Sequence, residues 1–246
     1  MLSSNHALRE QSQLLRGQIL AGLNVWRSTE SEQSERSEFP AFRETLRRYL
    51  GIPEGEDRRV VCQVSGVKGS DVIAAHIFPA TANATLLPLI GLEPTDVNNE
   101  RNGLFLANGI EKAFDRQQVT FTLGADGQLR LRVLDGKLHN ISCIKYSGWS
   151  NKDKNSNTLG PVGEPSFESL EGKVLNFATE TPPFRRLLAL HSELSSIKVL
   201  VNAWKPLDKA ALDKDMQNLP DFRRLSGPNP LFPIEAFELD EAKREE

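Results

Sequence analysis

The chain of 246 residues is 39% hydrophobic, enough to bury one large core or two small ones, and its formal charge of −3 excludes a polycation that holds polyanions by bulk charge alone. No apolar run reaches the roughly eighteen residues needed to span a bilayer, and the start MLSSNHALREQSQ lacks the apolar stretch of a secretory signal, so cytoplasm or nucleus and no membrane contact are expected. Two distant cysteines, Cys62 and Cys143, suit reduced core thiols and exclude a C-x-x-C zinc pair.

Residues 7–27 place Leu8, Leu14, Leu15, Ile19, Leu20, Leu23 and Trp26 near a 3.6-residue period, which predicts an amphipathic helix able to pack on a core, self-associate or meet a partner. Residues 28–38, STESEQSERSE, carry no apolar side chain and read as a solvated linker. FPAFRETLRRYLG then predicts a short helix, with Pro40 in its first turn and Gly51 at its C-terminal cap. RRVVCQVSG and VIAAHIFP, separated by the turn VKGSD, are expected to pair as a hairpin. Pro88 and Pro94 argue for a loop after them.

NGLFLANGIEKAFDRQQV predicts an extended piece entering a helix near Asn108, and VTFTLGADGQLRLRVL a hairpin turning at Ala125-Asp126-Gly127. A polar stretch follows Ser150, and a further amphipathic helix is expected from Phe184 to Trp204. The tail from Lys205 is rich in proline and charge, which predicts short pieces and disorder. The expected organisation is a helical N-terminal extension over 1–50, a core over 58–150, a C-terminal extension over 151–204 and a tail over 205–246.

His76 alone, between small and apolar residues, reads as a packed histidine. Its company changes that. Cys62 in CQVSG, His76 in AAHIFP, Asn102-Gly103 in RNGLFL and the block IEKAFD resemble the HNH endonuclease family, in the variant written C-x-x-[ST]-G, AHI-x-P, NG-x-x-L and H-x-x-F-D that is common in fungal and other eukaryotic proteins. The resemblance runs roughly from Val60 to Val133, with a weaker echo in the helix bearing His191. It implies an α+β fold with a ββα-metal core, an additional β-hairpin and helical extensions at both ends. It also implies metal-dependent hydrolysis of DNA phosphodiester bonds with weak sequence preference. His76 would be the general base, a role that an imidazole of ordinary pKa near 6.5 suits; Asn102 would orient it, and Gly103 would permit a close backbone turn.

The sequence departs from the pattern at Glu111, which stands where the family has histidine, and at Ala75, where many members carry a metal ligand; Asp71 would substitute only if its turn folds back. Glu111 and Asp115 lie four apart and so share one helix face. Two carboxylates suit one Mg²⁺ or Mn²⁺ better than Zn²⁺ or Ni²⁺. The competing expectation for the pair is a solvated face bonded to Lys112 or Arg116. Lys112, Arg116, Arg130 and Arg132 are the expected contacts to a phosphate backbone. The alternative function is an HNH-derived nucleic-acid-binding or protein-interaction module that has lost catalysis. His191, among leucines, is expected to pack or to bond structurally, and His139 to lie at the surface or on an edge strand.

Overall fold

The computed structural model describes residues 39–53, 60–68, 71–80, 87–88, 91–144, 146, 165–177 and 182–218. The helix expected over 7–27, the linker over 28–38 and the tail beyond 218 lie outside the described residues. The chain divides into two compact units, one of which includes residues 78–98. Its described part contains a 3₁₀ turn over Pro94–Asn98, entered by the Glu93 N–H donating to the Asp96 carboxylate at 2.9 Å. The other unit, running through 35–77 and 99–219, carries every candidate site residue.

Its first helix, α1 (Phe39–Tyr49), buries Phe42 and Leu46, four residues apart and so on one face. The helix ends as the sequence predicts. Gly51 adopts φ +67°, and the N–H groups of Gly51 and Ile52 return to the carbonyls of Arg48 and Arg47 at 3.1 and 2.9 Å, which satisfies two of the last carbonyls.

Strand β1 (Val72–His76) pairs antiparallel with β2 (Gly103–Ala107), in a register from Val72 opposite Ala107 to His76 opposite Gly103. This corrects the expected hairpin: the partner of VIAAH is GLFLA, not CQVSG. Cys62 to Gly66 instead form a tight turn, closed by Gly66 N–H on Cys62 O at 3.0 Å, with Gly66 at φ +73°. Gln63 docks that turn on the far edge of β2: its N–H donates to Phe105 O at 2.9 Å, and its side-chain oxygen accepts from Phe105 N–H at 2.8 Å. Gly66 and Lys68 look locally like a hairpin turn, so only this long-range pairing separates the two arrangements.

Helix α2 (Asn108–Asp115) follows β2 without a loop and packs back on both strands. Gly109 is needed there, because a Cβ would collide with the Cys143 backbone carbonyl. Strands β3 (Val119–Leu123) and β4 (Leu129–Val133) form the expected hairpin, with Gly127 at φ +76° in its turn. The segment through Val174 lies along the other side of β4, where Leu131 N–H reaches Lys173 O at 2.9 Å and Leu175 N–H reaches Leu129 O at 2.8 Å. A short helix, α3 (Phe167–Leu170), packs on β4. Helix α4 (Arg185–Val201) covers β3 through Leu187, Leu188, Leu190 and Leu194.

The tail composition predicts short pieces, and its described part holds one, the helix α5 (Lys209–Met216). Asp208 caps it by accepting from Ala211 N–H at 2.9 Å, and Asp215 anchors it in the interior. A carboxylate that meets a buried guanidinium is invisible to a reading based on local composition. Both cysteines are free and buried, as expected. No helix among the described residues is long and apolar enough to cross a membrane.

Candidate functional site

His76 closes β1, and its neighbour Ile77 extends the ladder by donating its N–H to Asn102 O at 2.8 Å. Asn102 is fully buried in a 3₁₀ turn over Glu100–Asn102, capped by the Asn99 side chain and closed by Asn102 N–H on Asn99 O at 2.8 Å. The structure therefore brings His76 and Asn102 together, with the Asn102 backbone bracing the strand end just past the imidazole. Phe184 N–H donates to Arg101 O at 3.0 Å, so the approach to α4 is tied to the same turn.

Sequence reasoning missed what lies over the imidazole. The ring of Phe42, from α1, stacks on His76 with centroids 3.6 Å apart and an interplanar angle of 16°, and His76 is buried. Gly103 makes that possible. A Cβ there would stand 2.7 Å from Phe42 Cζ and 3.1 Å from a Leu46 methyl. Gly103 itself is extended, at φ −123° and ψ 149°, so its role is to admit the Phe42 ring rather than to turn the backbone. No sequence pattern links Phe42 to His76, because the contact depends on how α1 crosses the ribbon.

Helix α2 carries Glu111 and Asp115, one turn apart. Their carboxyls meet. Loss of water in the dense protein around Asp115, then the like charge of Glu111 and a hydrogen bond with it, push the Asp115 carboxyl well above the ordinary carboxylate range. Asp115 retains exposed surface, so water screens part of that repulsion, and Arg116 acts in the opposite sense. Two carboxylates one turn apart are the donor type that a hard divalent ion takes, its remaining positions filled by water and substrate phosphate. Among the described residues no three His, Cys, Asp or Glu side chains gather into one metal site, so His76 does not join the pair as a ligand.

The basic residues divide. Lys112 is half-buried on α2, and the Arg116 guanidinium lies 5.9 Å from the centre of the Tyr146 ring. Arg130 is partly exposed and bonds to Asp126, Gln128 and Gly172 O. Arg132 is placed otherwise than expected: it is buried, with Nη2 2.6 Å from Asp215 and Nη1 2.9 Å from Glu171. Each of its three nitrogens donates inside the fold, and its burial keeps the guanidinium away from a phosphate backbone.

Residues 62–122 match the HNH endonuclease family. No curated protein and no solved structure matches the chain. The HNH segment takes in the Cys62 turn, both strands of the ribbon, α2 and β3 as far as Thr122. By that match this part of the chain is similar to a family of nucleases. α1, β4, α4 and α5 lie outside the HNH segment, yet α1 supplies the ring over His76 and α4 meets the end of α2.

Proposed function

We propose that this protein is a divalent-metal-dependent endonuclease that hydrolyses DNA phosphodiester bonds with weak sequence preference. The supporting observation is the placing of Glu111 and Asp115 one turn apart on the helix that follows the His76 ribbon within the HNH segment. In this reading His76 takes the proton from the attacking water, and the Asn102 turn fixes the strand end that carries it. Glu111 and Asp115 hold one ion, Mg²⁺ or Mn²⁺ in preference to Zn²⁺ or Ni²⁺. When bound, that ion offsets negative charge on the phosphate and on the departing oxygen. Lys112, Arg116 and Arg130 touch backbone phosphates, which carry no base sequence.

The experiment is nicking of supercoiled plasmid with Mg²⁺ or Mn²⁺. Nicking is expected to be lost in EDTA, in His76→Ala and in Glu111→Gln; a protein that nicks with no divalent ion at all would overturn the proposal. A second reading, an HNH-derived binding module without catalysis, draws on the Phe42 ring stacked over the buried His76. It predicts DNA retention without nicking, unchanged in His76→Ala.

A further inference from the structure

The helix bearing the carboxyl pair ends in an uncommon way. Gln117, just past α2, has φ +61°, a left-handed conformation that costs a residue with a side chain of the order of 1 kcal/mol or more and persists where its surroundings enforce it. Gln117 N–H returns to Phe114 O and Gln118 N–H to Ala113 O, both at 2.8 Å, which closes the turn from within. Helix α4 closes it from outside. The His191 ring stacks on Phe114 at 3.8 Å and 11°, with Nε2 3.0 Å from Phe114 O and Nδ1 2.9 Å from Thr120 Oγ1. Seven residues along α4, Lys198 Nζ donates to Arg116 O at 2.8 Å.

These partners settle the tautomer. A carbonyl only accepts, so the proton sits on Nε2, and Nδ1 accepts the Thr120 hydroxyl proton. The ring is fully buried, and the loss of water lowers its pKa to about 3, which keeps it neutral and the tautomer single at physiological pH. The peptide unit that receives the Nε2 proton is the one joining Phe114 to Asp115.

We propose that His191 is a positioning residue: held by Thr120 and bonded to the Phe114 carbonyl, it fixes the last turn of α2 and with it the spacing of the Glu111 and Asp115 carboxyls. This rests on the reading of that pair as the cation ligands. Helix α4 lies outside the HNH segment, so the clamp is supplied by this chain's own C-terminal part.

The test is Mn²⁺ binding to the full chain, followed by electron paramagnetic resonance, in variants whose folding is checked by thermal unfolding. Glu111→Gln is expected to weaken binding. His191→Met, which keeps volume but loses the donor, is expected to weaken it about tenfold, as outer-shell losses do. His191→Gln, whose amide can donate to the same carbonyl, is expected to restore most of that loss. Should His191→Met fail to fold, Lys198→Met removes the half-buried second donor and is expected to give a smaller loss of the same kind. Unchanged Mn²⁺ affinity in the folded variants would overturn the clamp. Metal-free amide exchange separates this from the reading beneath it. Faster exchange at Gln117 and Gln118 in His191→Met but not in His191→Gln, combined with no Mn²⁺ binding by the unaltered chain, would leave the clamp standing and discard the carboxylate site.

Discussion

At the scale of single residues, their surroundings give two groups opposite demands. His191 is neutral in the fold with a pKa lowered to about 3, whereas in the unfolded chain it protonates near 6.5. Between those values the unfolded state holds the extra proton, so stability from this residue is complete above about pH 6.5 and falls with pH, by up to about 1.4 kcal/mol per unit. Asp115 runs the other way. Its carboxyl, raised above 3.8 by loss of water and by Glu111, favours the folded state at low pH and loses that contribution as pH rises through the folded value. Urea unfolding between pH 7.5 and pH 5 is expected to show a steeper loss of stability on acidification in the unaltered chain than in His191→Gln; equal slopes would refute the buried neutral imidazole. The neighbouring places of His76 and Asn102 and the one-turn spacing of Glu111 and Asp115, as placement rather than as roles, were legible from residue type and order. The Phe42 stack and the true reason for Gly103 were not, because both depend on an approach between segments that no local pattern encodes.

At the scale of elements, helices with caps and periodicity declared themselves, and strand partners did not. α1, α2, α4 and the β3–β4 hairpin appear close to where apolar spacing and turn residues place them, whereas β1 chose a partner across a long loop. α5 is the other case that composition conceals. Asp215 accepts from Arg132 Nε and Nη2 at 2.9 and 2.6 Å and from the Thr122 hydroxyl at 2.8 Å, so the helix is held to the hairpin by a buried charge. Asp215→Ala leaves the Arg132 guanidinium with Glu171 alone, and chemical denaturation is expected to show a loss of about 1.5–3 kcal/mol, the range of a hydrogen bond to a charged group. Replacing all three ions, Arg132→Met with Asp215→Leu and Glu171→Gln, is expected to recover most of it, since the apolar pair has no charge to desolvate and the amide oxygen introduced by Glu171→Gln can still accept from Val133 N–H. A cost below about 1 kcal/mol for Asp215→Ala alone would mean that the charge reaches water and that α5 is held by other contacts.

For the whole molecule, charge sets how nucleic acid would be held. The net −3 leaves no large surplus of cations, and the reassignment of Arg132 to the interior reduces the proposed phosphate contacts to Lys112, Arg116 and Arg130. Counter-ion release then predicts a shallow salt dependence, with log K against log salt falling at a slope of about −3, measurable by anisotropy of a labelled duplex in EDTA. A slope near −6 or steeper would point to a basic surface elsewhere in the chain. Fold class was readable because the motif order is linear; the clamp on α2 was not, because it joins residues 114 and 191 through helix packing. That contact also bears on transplanting the matched stretch. The HNH match ends at residue 122, while the His191 donor that holds its helix comes from much later in the chain. Moved alone into another polypeptide, the matched stretch would leave behind the donor that meets the Phe114 carbonyl, so the end of α2 is expected to fray there even though every residue of the match is kept.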